Sequence, residues 1–227
     1  PPPTDEQTLC RTDQPLAAHT IILVDATDKL EPRHRRLLRA VVRQEGQRLA
    51  RYQRLTLLSL RADRPQEPRI LFSLCNPGDG QSVNPLFQNT RLAQARWESA
   101  FGEALDRAVR RAAGARAASA SPILAGLRAI AADPDFTADV SARRLVLVSD
   151  MLEFTPGGFS LYGPQADFTH WRAISPLSPP DLTGVQVRVA ALDRPGHEAE
   201  QAHARDAFWA PYFDAAGARE TRFDPAP

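Results

Sequence analysis

His19-Thr20-Ile21-Ile22-Leu23-Val24-Asp25-Ala26-Thr27-Asp28-Lys29 couples an apolar run to an abrupt polar turn. Four consecutive aliphatic residues leave no polar face, so His19 to Val24 reads as a strand buried on both sides, the pattern of a parallel sheet covered by helices. A second run of this kind, Leu145-Val146-Leu147-Val148 within Arg143 to Val148, gives out at Ser149-Asp150. A third polar cluster, Ser119-Ala120-Ser121-Pro122, opens a helical pattern. In an open parallel sheet the carboxyl ends of the strands converge on one crevice where ligands bind. Asp25, Thr27, Ser121 and Asp150 are therefore expected to meet.

Outward from these points the elements alternate. Glu31-Pro32 starts a helix whose apolar face is Leu38, Val41, Val42, Leu49 and Tyr52, predicting a helix through Tyr52. Leu55 to Leu60 and Ile70 to Leu74 are two strands joined by a short polar link, which suits an antiparallel hairpin and not a helical crossover. Asn76 to Asn89 reads as a loop, and Asn89 or Thr90 caps a long helix with Trp97, Phe101, Leu105 and Val109 inward. Ser121-Pro122 begins a helix with Ile123, Leu124, Leu127 and Ile130 inward. Glu153 to Asp181 is read as a long loop or cap, with Phe159, Tyr162, Phe168 and Trp171 available to pack it down. Val185 to Leu192 is a further strand, Gln201 to Ala216 a helix interrupted by Pro211 and ended by Gly217, and Thr221 to Phe223 an edge strand. The expected organisation is an N-terminal arm over 1–18, one domain over 19–223 and a tail over 224–227.

At 43% hydrophobic residues and a formal net charge of +1, the chain can bury one substantial core and has no global field drawing it to nucleic acid or membrane. No stretch approaches the roughly 20 apolar residues of a membrane span. Lys29 is the only lysine; the other basic residues are arginines, which with abundant alanine and proline fits the coding bias of a GC-rich bacterium. The chain starts at Pro1-Pro2-Pro3 without Met, which leaves room for a signal peptide or anchor upstream. Cys10 and Cys75 read either as a disulfide tying the arm to the end of a strand in an exported protein or as two free thiols in a reducing cytoplasm. The first implies a periplasmic or membrane-anchored envelope location, the second a cytoplasmic one.

An early antiparallel hairpin inside an otherwise parallel α/β sheet resembles the von Willebrand factor A domain, a Rossmann-like three-layer sandwich, over nearly the whole chain. In that family the first strand ends in Asp-x-Ser-x-Ser, a Thr or Ser before Pro opens a helix, and an Asp follows a later apolar strand. The matching residues are Asp25 and Thr27, Ser121 before Pro122, and Asp150 after Val146-Leu147-Val148-Ser149. The resemblance implies a metal-ion-dependent adhesion site for Mg²⁺ or Mn²⁺, whose open position takes an acidic side chain of a partner protein. Lys29 stands where the family has its second serine, and a protonated lysine offers no lone pair. The expected site is degenerate and binds metal weakly: Lys29 turns outward, or it pairs with Asp25 or Asp150 and replaces the cation. The partner-binding rim is expected to include Asp28, Lys29, Ser119, Tyr162 and the loop Asn76 to Asn89. No catalytic residue is assigned in this reading.

Two other readings stay open. Asp25 at a strand end also resembles the nucleophile of haloacid-dehalogenase phosphatases, a metal-dependent hydrolase class, but their second Asp is here Thr27, which cannot serve as a general acid near neutral pH. Arg36, Arg39, Arg43 and Arg51 on one helix, with Arg107, Arg110 and Arg111 on another, form stripes suited to phosphates or nucleic acid, although no aromatic residues interleave with them. Motifs for serine hydrolases, zincins and P-loops are absent from the sequence. Asp and Thr at a strand end, and Ser before Pro, also have a plain structural use in capping turns and helices.

Overall fold

The computed structural model describes residues 2–27, 29–80, 89–115, 117–163 and 166–225. The strands are β1 (Ala18–Val24), β2 (Arg54–Ser59), β3 (Arg69–Cys75), β4 (Ala142–Ser149), β5 (Gln186–Ala191) and β6 (Glu220–Asp224), in one sheet ordered β3-β2-β1-β4-β5-β6. All neighbouring pairs are parallel except β2 with β3, the hairpin. Helices cover both faces of this α/β, Rossmann-like sheet. They are α1 (Pro32–Arg48), α2 (Thr90–Trp97), α3 (Glu103–Ala113), α4 (Ile123–Ala131), α5 (Phe168–Ile174), α6 (Glu198–His203) and α7 (Ala210–Ala215).

Alternation along β1 divides the core. Ile22 and Val24 face a layer with Leu38, Val41 and Phe101, whereas Ile21 and Leu23 face one with Leu127, Phe208 and Trp209. Each fully buried aliphatic contributes about 1.5–3 kcal/mol, so both faces of the central strand are committed and its register is unambiguous. Among the described residues no helix is long and apolar enough to cross a membrane.

The structure corrects several local expectations. α1 ends at Arg48, not at Tyr52: Leu49 turns to extended backbone (φ −72°, ψ 118°) and Tyr52 has φ 66°, its N–H donating to the Asn76 carbonyl at 2.7 Å. α2 and α3 are one helix broken by a π turn over Glu98–Gly102. The predicted inward set Trp97, Phe101, Leu105 and Val109 is spaced by four throughout, which drifts around a 3.6-residue helix, and the wider turn takes up that drift. A second π turn, Ala204–Trp209, precedes Pro211, which has no N–H for a regular helix. The segment read as a long loop contains α5 and is pinned by aromatic packing, with Trp171 buried and Phe159 stacked 5.1 Å from Phe208. Asp224 closes β6 and receives Arg188 at 2.7 Å.

The N-terminal arm is joined to the sheet edge. Cys10 and Cys75 form a disulfide, with Cα atoms 4.9 Å apart, and the Cys75 N–H donates to the Thr8 carbonyl at 2.8 Å. At the same end of the sheet, farther across it, Glu45, 1% exposed on α1, accepts from Arg144 of β4 (2.8 and 3.2 Å) and Arg188 of β5 (2.8 Å).

Candidate functional site

β1 and β4 are neighbours in parallel register, so their carboxyl ends deliver Asp25 and Asp150 to the same crevice. The Asp25 N–H still belongs to the ladder, donating to the Val148 carbonyl at 2.9 Å, and the chain leaves the sheet only beyond it. Asp25 is 6% exposed, and its carboxylate collects four hydrogen bonds. Oδ1 accepts from the Thr27 hydroxyl at 2.6 Å and the Thr27 N–H at 3.2 Å. Oδ2 accepts from the Ser121 hydroxyl at 2.7 Å and the Ser149 hydroxyl at 2.9 Å.

Ser121 reaches Asp25 because the segment before α4 is stitched in place. Ala118 N–H donates to the Thr27 carbonyl at 2.6 Å, and Ser121 and Phe154 exchange backbone bonds at 2.8 and 3.1 Å. The Ser-Pro pair has a second reading, as a routine helix cap, and the geometry separates the two. Ser121 does not cap α4; Glu153 does, its Oε2 accepting from the Leu124 N–H at 2.8 Å while Oε1 accepts from the Thr155 hydroxyl at 2.9 Å. Burial pushes the Glu153 carboxyl up to about 7, with the Asp25 charge adding to the effect.

Asp150 stands differently. Oδ1 accepts from the Leu152 N–H at 2.9 Å, and Oδ2 accepts from Arg194 Nη1 at 2.9 Å. Burial, then the neighbouring Asp25 charge, pushes its carboxyl up to about 6 against the pull of Leu152 and Arg194. The next residue, Met151, has φ 62°, a left-handed conformation that costs a side-chain-bearing residue about 1–2 kcal/mol. Its N–H donates to the Ser149 hydroxyl at 2.8 Å, and its carbonyl accepts from the Trp209 indole at 2.7 Å. Arg194 is held by Gln201, whose Oε1 accepts the Arg194 N–H while Nε2 donates to the carbonyls of Asp150 and Leu192. The guanidinium lies 5.4 Å from the Tyr162 ring centre.

Asp25, Thr27 and Ser121 are joined by hydrogen bonds, and Asp150 lines one cavity with Asp25 and Thr27. Ser149 supplies a further hydroxyl that the motif comparison does not assign. The cation on Asp150 is Arg194, not Lys29: Lys29 is exposed on the wall of a cavity of about 120 Å³ shared with Asp25, Thr27, Asp150 and Arg194, and no hydrogen bond or ion pair joins it to either carboxylate. Asp28, expected on the rim, lies outside the described residues, as do residues 81–88 of the Asn76 to Asn89 loop. Ser119 and Tyr162 line a neighbouring cleft of about 330 Å³ with Phe154 and Arg194. A single arginine in an arginine-rich chain carries no local signal, so Arg194 was not legible in advance.

A divalent ion of the kind the motifs imply needs near-octahedral oxygen ligands. These residues do not fit one. The first motif offers two oxygen-bearing side chains in place of three, and Arg194 holds an Asp150 oxygen. Carboxylates only accept, so the Thr27, Ser121 and Ser149 hydroxyl protons all point at Asp25 and each hydroxyl presents lone pairs to anything else. Both Asp25 oxygens are engaged. No protein-family model matches the chain, and no curated protein matches it in sequence.

Proposed function

We propose that this chain is a von Willebrand factor A-like, non-enzymatic binding module that recognises another protein at the rim formed by the carboxyl ends of β1 and β4, without dependence on a divalent metal. The observation that carries the reading is the Asp25 carboxylate tying Thr27, Ser121 and Ser149 into one buried knot while Arg194 neutralises Asp150 beside it. Two loops and the end of β4, from distant parts of the chain, are thereby fixed to one another, which favours a rigid recognition surface. Exposed Lys29 and Ser119, the Tyr162 ring and 38% exposed Phe154 form its outward side, with cationic groups suited to an acidic side chain of the partner.

The phosphatase reading has less support, because a nucleophilic carboxylate needs an open oxygen and Asp25 has none. The Cys10–Cys75 disulfide supports an oxidising compartment, in line with an envelope-associated bacterial role. The test is capture of partners by the purified protein from a matching cell extract, compared with Ser119→Trp and Tyr162→Ala. Loss of capture at unchanged melting temperature supports the rim, whereas Mg²⁺-dependent hydrolysis of an aryl phosphate, abolished by Asp25→Asn, refutes the non-enzymatic reading.

A further inference from the structure

Away from the rim, α1 and the α2–α3 helix border a groove of about 510 Å³ whose two lips carry opposite charge. On α1 the lip is Arg39 and Arg43, both exposed and one turn apart. Across from them stand Glu98, Glu103 and Asp106, also exposed. Between the lips lies a narrow apolar floor of Val42, Leu105 and Val109, 2%, 7% and 5% exposed, with the half-buried Trp97 ring beside them.

The π turn builds the acidic lip. In a regular helix, residues five apart point about 140° away from each other. Glu98 and Glu103 bracket the π turn, whose i to i+5 closure brings them to one side. Gly102 leaves room for the adjacent indole, since a Cβ there would lie 3.0 Å from the Trp97 ring.

The facing charges do not satisfy one another. Glu98 accepts from Gln94 and Glu103 pairs with Arg107, both along the same α2–α3 helix and not across the groove. Among the described residues no hydrogen bond or ion pair engages the side chains of Arg39, Arg43 or Asp106. This divides the arginine stripe read from the sequence. A phosphate backbone drawn to Arg39 and Arg43 would be repelled by three carboxylates a groove's width away. The complementary ligand carries both signs, with apolar surface between them. From Glu98 to Asp106 the acidic lip runs roughly 12 Å, about two helical turns.

We propose that this groove docks an amphipathic helix of a partner protein, with its apolar face on Val42, Leu105 and Trp97, an acidic edge along Arg39 and Arg43, and a basic edge along Glu98, Glu103 and Asp106. The site is independent of the rim. Its mode is a helix laid in a groove, with charged edges setting selectivity.

The test uses three synthetic helical peptides of about fourteen residues, near the length at which an isolated helix becomes viable. All share a leucine face; one has a Glu edge and a Lys edge, one has two Lys edges, one has two Glu edges. Fluorescence anisotropy against the full chain should give the mixed peptide an affinity at least about tenfold above either uniform one, with amide NMR shifts confined to α1, α2 and α3. Arg39→Glu with Arg43→Glu, both exposed and so expected to leave the melting temperature unchanged, should transfer the preference to the two-Lys peptide. The proposal is overturned if the mixed peptide does not bind, if the three bind alike, if the shifts fall elsewhere, or if the double reversal leaves the preference in place. Tighter binding of a short DNA duplex than of the mixed peptide, lost in the double reversal, would assign the arginines to a polyanion and overturn it as well.

Discussion

Arg194 Nη1 lies 2.9 Å from Asp150 Oδ2, so a side chain from the loop after β5 supplies the positive charge at a crevice where the motifs anticipate a metal ion. The partly exposed guanidinium and the nearly buried carboxylate are not equal partners, with side-chain exposures of 33% and 13%. Asp150 depends on the pair more than Arg194 does.

Millimolar Mg²⁺ should therefore raise the melting temperature of the wild-type protein very little, because stabilisation follows RT ln(1 + [L]/Kd) and the ligand set is incomplete. Arg194→Met combined with Lys29→Ser removes the resident cation and restores a third hydroxyl, and should bind Mg²⁺ measurably more tightly by calorimetry. Tight stoichiometric binding by the wild type would refute the metal-independent reading. Arg194→Met alone should cost about 1–3 kcal/mol at pH 7.5 and less at pH 5, where Asp150, its carboxyl pushed up to about 6, takes a proton instead.

The buried Glu45 network gives a second expectation. Glu45 is 1% exposed and sits between Arg144 and Arg188; removing it takes away the only carboxylate paired with Arg144 among the described residues, while Arg188 keeps Asp224 at 2.7 Å. Glu45→Ala should cost about 3–5 kcal/mol in denaturant unfolding, far beyond a surface helix substitution. A loss under about 1 kcal/mol would mean that the two arginines re-solvate freely.

How much of this was readable in advance follows the range of each interaction. Continuous apolar runs exposed the buried strands β1 and β4, and a link too short for a crossover exposed the antiparallel edge, because both signals are local. Asp25, Thr27 and Ser121 were legible as a group through strand-end convergence. The roles of Ser149 and Glu153 were not, since a serine beside an aspartate and a glutamate in a loop look ordinary until the fold brings them to Asp25 and to α4. Glu45 reads as one more charged residue on an amphipathic helix, and only the parallel placement of β4 and β5 beneath α1 turns it inward. Tyr52 matched the helical period yet lies beyond the end of α1, where the tertiary bond to Asn76 overrides the pattern.

Glu153 makes stability depend on pH in a definite direction. Its carboxyl is pushed from an ordinary value near 4.5 up to about 7, chiefly by burial. The folded state thus holds the proton more tightly than the unfolded chain, so this contribution is fully present below about pH 4.5 and is lost as pH rises through about 7. Glu153→Gln keeps an acceptor for the Leu124 N–H and has no charge to bury. The variant should be more stable than wild type at pH 8, by about 1–3 kcal/mol, and closer to it at pH 4.5. Equal differences at both values would show that Glu153 remains ionised throughout.

The Cys10–Cys75 bridge closes a segment with a sequence separation of 65, linking an arm that has few other anchors to the last residue of β3. In the chain-entropy account a loop of this length confers about 4 kcal/mol by restricting the unfolded state, and measured values often fall below that. Such a contribution is a large share of the 5–15 kcal/mol typical of a domain. Reductant, or Cys10→Ser with Cys75→Ser, should lower the melting temperature by several degrees, roughly 2–4 °C per kcal/mol for a chain of this size. The sheet itself should survive, because β1 and β4 pair without help from the arm. Hydrogen exchange should show protection lost first in the arm and along β3, whose Cys75 N–H donates to Thr8 in the arm, while β1 and β4 stay protected. Unchanged melting after complete reduction would show that the backbone contacts of Thr8 hold the arm by themselves.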